Sequence, residues 1–148
     1  MKSCPRFAKA ASGKHQVRSV IDASMAASFV LPDEKSPATR AARQTLTRTG
    51  GLAPSLFWCE TRNILLVAER RGRLTAQLAE QAIHYLSALP IELVQPDDDA
   101  VLDIARKHRL TVYDASYLAL AMARRAPLAT LDAALAKAAQ AEGVPLLT

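Results

Sequence analysis

Four acidic residues stand where they could do chemistry. Asp22 closes the apolar run VRSVI, and Asp132 closes PLATL. Each is placed where a short buried strand would end. Asp114 opens the apolar run DASYLALA, so that Asp114 and Asp132 bracket a stretch with no other acid. Glu60 lies on a helical pattern running from Pro54 to Arg71. There Phe57, Ile64, Leu65 and Ala68 mark the inward face, and Glu60, three residues after Phe57 and four before Ile64, points the same way. Asn63 shares that stripe, whereas Arg62 is turned from Glu60 by about 200°.

Each Asp has a plain alternative role. Asp is a favoured helix N-cap, and Asp22, Asp114 and Asp132 each precede a helical segment. Capping accounts for an Asp at each position, but not for three of them at one sheet edge. A buried glutamate is costly without a cationic partner, and no basic residue shares the face of Glu60. Gathered carboxylates repel and raise one another's pKa, and a hard divalent cation removes the repulsion. An oxygen-only donor set without His or Cys suits Mg²⁺ and phosphate chemistry better than zinc hydrolysis. Ser24 and Thr130, two positions from Asp22 and Asp132, could orient a carboxylate or a water. Alternatively they cap or shape turns. Tyr117 is read most simply as core or rim packing.

The elements that would position these groups alternate. Strands are expected at 18–21, in IELVQ, in PLATL and in the final VPLLT, with a short strand or turn at 110–113. Helices are expected in ASMAASFVL, from SPATR to Gly50-Gly51, from Pro54 to Arg71, in LTAQLAEQAIHYLSAL, in PDDDAVLDIARKH, from 114 to about 125, and at 133–142. Short apolar strands separated by helices predict an α/β fold, a three-layer α/β/α sandwich around a central parallel sheet. In such sheets ligands bind beyond the carboxyl ends of the strands.

The chain has 148 residues and a formal charge of +5, and the charge is unevenly placed. Lys2, Arg6, Lys9, Lys14 and Arg18 lie in the first 18 residues, which hold no acid. The rest of the chain has as many bases as acids, 14 of each. A basic tail promotes encounter with any polyanion, so the net charge does not by itself indicate nucleic acid. Residues 1–17 read as a flexible basic extension and 18–148 as one domain. The extension has no apolar core of a secretory signal, although its acid-free composition is also that of an organellar presequence. No run is long and apolar enough to span a membrane. Cys4 and Cys59 are not expected to form a disulfide, Cys59 being read as a buried thiol. His15, His84 and His108 lack zinc spacing. A reducing cytoplasm fits these features.

The ordered set VIDAS at 20–24, ETRNILL at 60–66, YDASYLALA at 113–121 and ATLDAAL at 129–135 resembles the PIN domain family, in particular its VapC-like toxins. The resemblance covers about residues 18 to 148. It implies that Asp22, Glu60 and Asp114 hold Mg²⁺ or Mn²⁺, with Asp132 as the more variable fourth acid. It also implies that Ser24, Asn63 and Thr130 accompany them. A metal-dependent endoribonuclease is the implied activity, hydrolysing RNA phosphodiester bonds. The implied partners are a cognate antitoxin and a second copy in a homodimer. Arg62, Arg70, Arg71, Arg73, Arg124 and Arg125 are candidate phosphate contacts. Two other readings compete: a PIN-like module that binds RNA or a partner without cleaving, and a phosphatase or receiver-like domain using Asp22 as nucleophile. The first strand lacks the DxD pattern of the phosphatases and the paired acids of a receiver. Asp22→Asn separates the first two, since binding would survive it and cleavage would not. The departure from the family is the basic extension before the first strand.

Overall fold

A computed structural model describes residues 16–147 of the chain. Nearly all of the basic extension, and the last residue of VPLLT, lie outside the described residues. The elements run β1 (Ser19–Ile21), α1 (Ala23–Ser28), α2 (Pro37–Thr49), β2 (Gly51–Ala53), α3 (Phe57–Arg70), α4 (Ala76–Ser87), β3 (Ile91–Leu93), α5 (Asp98–His108), α6 (Val112–Arg124), β4 (Leu128–Ala129) and α7 (Ala133–Ala141).

The four strands form one parallel sheet in the order β3-β2-β1-β4. Ser19 pairs with Gly51, Leu52 with Glu92, and Ile21 with Ala129. Parallel strands need crossover connections, and right-handed crossovers dictate the layers. From β1 the chain steps to β2 and then β3, which puts α1–α4 on one face. It then crosses back to β4 on the far side of β1, which puts α5–α7 on the other. The packing agrees: α1 rests on α2 and α3, α3 on α4, and α6 on β1 between α5 and α7. This is the three-layer α/β/α arrangement that the alternating pattern predicted.

The core lies where β1 and β2 meet α6. Val20, Ile21, Ala53, Phe57, Leu65, Leu118 and Leu128 are all fully buried. Such short strands suffice at the centre because β1 and β2 are buried along their whole length, whereas the edge strand β3 is partly exposed. Gly51 shows how tight that packing is. A Cβ there would stand 2.6 Å from Leu46 Cδ1 and 3.2 Å from Ile21 Cγ1. Gly50 before it has φ +73°, which an L side chain rarely adopts.

Several boundaries differ from the sequence reading. β2 was not foreseen, because Gly50-Gly51 reads as the end of a helix and three residues are too few for periodicity to register. The segment 110–113 forms no strand: Thr111 caps α6, which starts at Val112 rather than 114. VPLLT contributes one parallel bridge, Leu146 to Leu128, rather than a strand. α3 begins at Phe57 instead of Pro54. Cys59 is exposed, not buried, because it faces away from the Phe57–Leu65 side of α3.

Candidate active site

The connection order reverses between β1 and β4, so the crevice beyond their carboxyl ends is the topological switch point of the sheet. Asp22 follows β1 and Asp132 precedes α7 just after β4. Helices that follow or precede parallel strands bring the other two acids to the same edge. α3 follows β2 and carries Glu60 in its first turn, while α6 leads down to β4 and carries Asp114 in its first turn. One acid thus comes from each helical layer and two from the strand ends.

Asp22 is 4% exposed and its carboxylate is held on both oxygens. The Ser24 hydroxyl donates to Oδ1 at 2.8 Å and to Oδ2 at 3.0 Å, and the Met25 amide donates to Oδ1 at 2.8 Å. The Thr130 hydroxyl donates to Oδ2 from across the β1–β4 crevice. In turn Ser24 Oγ accepts from the Leu131 amide, and Thr130 Oγ1 from the Asp132 amide. These bonds tie the loop after β4 to the end of β1. A carboxylate offers about four lone-pair directions, so three donors leave it room for a further ligand. Burial pushes the Asp22 carboxyl up to about 6, against the lowering effect of Thr130, Met25 and Ser24, with a further rise from Asp114.

Glu60 is half-buried, and its Oε1 accepts from the Tyr117 hydroxyl at 2.9 Å. Its pKa is raised by burial and by the charges of Asp114 and Asp22, against the lowering effect of Tyr117. Tyr117 is 1% exposed, and burial together with Glu60 holds its phenol far above the ordinary range. Asp114 is raised by burial and by Asp132, against the lowering effect of Thr111. Its Oδ2 accepts from the Thr111 hydroxyl at 3.0 Å, while Thr111 Oγ1 accepts the Asp114 amide at 3.1 Å. Thr111 is thus the N-cap of α6, and the Asp114 carboxylate answers its hydroxyl. Asp132 Oδ1 accepts the Leu135 amide at 2.7 Å.

Asp22 and Asp132 are therefore N-caps as well as members of the cluster, whereas Asp114 is not, because Thr111 takes that place. The four acids are linked through their charges, Asp22 with Glu60 and Asp114, Glu60 with Asp114, and Asp114 with Asp132. Among the described residues no basic side chain forms an ion pair with any of the four.

The oxygen donors and their mutual repulsion fit a hard divalent cation. Among the described residues, however, no three His, Cys, Asp or Glu side chains are grouped so as to hold one ion directly. The cluster is open, which suits an ion bound by one or two carboxylates, with water and substrate oxygens completing its shell.

Other expected residues fall differently. Asn63 is exposed and makes no hydrogen bond among the described residues, so it does not share the buried stripe. Arg124 and Arg125 end α6, and Arg70 and Arg71 end α3, about 15 Å along each helix from Asp114 and Glu60 at 1.5 Å per residue. They point to the opposite edge of the sheet from the acids. Arg73 is engaged by Asp33 and Glu34, both at 2.7 Å. Arg62 is exposed on the side of α3 turned away from Glu60, its guanidinium 5.7 Å from the Trp58 ring centre. The sequence reading missed the polar role of Tyr117. Its signal was the Asp114–Tyr117 spacing of three, which puts both on one face of α6. Tyr113, beside Asp114, is 61% exposed.

A family model described as the PIN domain matches residues 19–141. Ribonuclease VapC3 of Pyrobaculum aerophilum is 31% identical over 122 residues, which cover 80% of this chain and 92% of that protein. A crystal structure of PAE2754 from Pyrobaculum aerophilum superposes with a TM-score of 0.65 at 25% identity, covering 82% of this chain and 84% of the other.

Proposed function

The chain belongs to the PIN domain family, and from that premise we propose that it is a divalent-metal-dependent endoribonuclease that hydrolyses RNA phosphodiester bonds. The observation that carries the proposal is the meeting of Asp22, Glu60, Asp114 and Asp132 at the switch point, mutually repelling and without a basic partner. Residues 18–148 would form the nuclease domain, preceded by the basic extension of residues 1–17.

Bound there, Mg²⁺ or Mn²⁺ would activate water and neutralise charge developing on the phosphoryl group. Asp22, Glu60 and Asp114 would hold the ion, directly or through water, with Asp132 completing the cleft. Ser24 and Thr130 fix the orientation of the Asp22 carboxylate, and Tyr117 fixes that of Glu60. The Tyr113 ring, exposed beside Asp114, offers a surface on which a base can stack. By family, the protein would act as the toxin of a toxin–antitoxin pair, in the cytoplasm, as a homodimer restrained by a cognate antitoxin. Among the described residues no helix is long and apolar enough to cross a membrane.

The open spacing of the carboxylates favours a second reading, a PIN-like module that binds RNA or a partner without cutting it. RNA cleavage assays with added Mg²⁺ or Mn²⁺ separate the two. Cleavage should be abolished by chelator and should fall at least about 100-fold in Asp22→Asn and Asp114→Asn. RNA binding by all variants with cleavage by none would leave the binding module.

A further inference from the structure

Between Glu34 and Glu60 the chain contains no acid, yet it holds Lys35, Arg40, Arg43 and Arg48. α2 gathers them. Arg40, Arg43, Gln44, Thr47 and Arg48 follow the spacing of one helix face, and all are exposed. Thr39, Ala42 and Leu46 form the buried face. Among the described residues none of these four bases has a carboxylate partner.

The surface along this face carries a row of open depressions that share lining residues. A depression of about 320 Å³ is lined by Lys35, Thr39, Arg40, Arg43 and Gln44. It shares Arg43 and Gln44 with a second of about 430 Å³, which also includes Thr47 and Arg48. The second shares Thr47 and Arg48 with a third of about 540 Å³ at Gly50 and Pro90. There Arg18 is paired with Glu92 at 2.5 Å, so the far end of the groove is electrically neutral.

An ordinary solvated helix face mixes charge signs. This one places like charges three residues apart and sets Lys35 and Arg40 near the helix N-terminus, where the macrodipole disfavours cations. Both arrangements work against the stability of α2, and an anionic ligand would relieve them. α2 ends on the side of the sheet away from the carboxylates, and it starts about 9 Å along α1 from Asp22. The Thr39 hydroxyl rests 3.2 Å from that of Ser28, at the far end of α1 from Asp22. Gly50 enters β2 at the amino edge of the sheet.

We propose that the groove along α2 is an anchoring track for the phosphate backbone of RNA, remote from the cleft and built by Lys35, Arg40, Arg43 and Arg48. The RNA assignment rests on the ribonuclease reading. Arginine suits phosphate through paired N–H donors, and Thr47 and Gln44 add neutral donors between the charges. Thirteen helical residues span about 20 Å, room for several consecutive phosphates. Nothing in the groove distinguishes bases, so the track would bind without regard to sequence.

The test is binding of a long unstructured RNA to the full chain in chelator, followed by fluorescence anisotropy across a salt series. Arg40→Gln/Arg43→Gln/Arg48→Gln is compared with Arg106→Gln/Lys107→Gln/Arg109→Gln, which removes the same charge from the end of α5. Circular dichroism checks the folding of both. The α2 triple should weaken binding by about 10-fold or more at low salt and lower the salt slope by about 2, at roughly 0.7 for each phosphate no longer neutralised. The α5 triple should do much less. Equal loss in both, no loss in either, or no RNA binding at all would overturn the track. Displacement by polyglutamate as readily as by RNA of equal charge would assign the groove to an acidic protein segment and overturn it too. Cleavage of the same RNA by the wild-type chain with Mn²⁺ is measured in parallel. A selective α2 effect without cleavage would remove the ribonuclease reading and leave the track, and cleavage without a selective α2 effect would do the reverse.

Discussion

Asp22 is buried with three donors and no cation, and this has a measurable consequence for the metal-free protein. Its folded-state pKa of about 6 lies above the ordinary 3.8, so folding favours the protonated acid. The associated stability is fully present below about pH 4 and is lost as pH rises through 6. Two units correspond to at most about 3 kcal/mol. Glu60 and Asp114 shift in the same direction. Urea unfolding in chelator should therefore show stability falling between about pH 4 and 6, and Asp22→Asn should flatten that fall and be the more stable protein at pH 7. An asparagine can still accept the Met25 amide, while the Ser24 and Thr130 hydroxyls can turn to accept its N–H. A wild-type curve that rises over this interval would mean Asp22 is not strained by burial. Thr130 supplies a second prediction at this scale. Thr130→Val keeps the shape and removes the donor to Asp22 Oδ2, and metal-dependent cleavage should drop about 10- to 100-fold. Thr130→Ser restores the hydroxyl and should recover most of it. Equal loss in both variants would point to packing rather than orientation.

Among the elements, β2 is the most demanding. It has three residues, it separates β1 from β3, and it leads directly into α3 and Glu60. Gly51→Ala forces a methyl against Leu46 and Ile21, and overpacking of this kind costs about 1–3 kcal/mol. The predicted outcome is a lower denaturation midpoint with an unchanged denaturant slope. Retention of wild-type stability would show that Leu46 swings aside freely. The helices were easier to foresee than this strand. Ser36-Pro37 starts α2, and Asp97 caps α5, whose last turn carries Arg106, Lys107 and His108. α2 announces its start through its cap, and α5 both its ends through its cap and the macrodipole, whereas α3, without a side-chain cap, was placed three residues early. A three-residue strand has no such signals, and one after two glycines looks like the tail of the helix before it. For the same reason VPLLT looked like a full strand but supplies one bridge, since β propensity does not report whether a neighbouring strand is in reach.

Viewed as a whole molecule, the sheet order sets what could be known in advance about the site. Asp22 and Asp132 were legible from position alone, each directly after a strand-like run, and the parallel sheet makes those ends converge. Glu60 was legible from helix phase. The limits appeared along the same helices. Arg70, Arg71, Arg124 and Arg125 occur in the same segments as the acids, but each helix carries them to the opposite edge. Asn63 lies nearly one turn after Glu60 but on the opposite side of α3 from the buried Thr61, Leu65 and Ala68. Tyr117 read as core because burial and polarity are compatible in tyrosine, and only the fold reveals that its hydroxyl meets Glu60. The separation of an acidic edge from a basic α2 groove appears only in three dimensions, because the net charge sums over both.

The central claim is that the four carboxylates form a metal site. Calorimetric titration of Mn²⁺ into the purified chain, freed of chelator and partner, tests it most directly, alongside Asp22→Asn and Asp114→Asn and with and without a short RNA. Saturable binding by the wild type that is lost in both variants is the predicted result. Binding that persists in both variants, or none at millimolar metal even with RNA present, would contradict the claim and leave the acids as helix caps on a binding module.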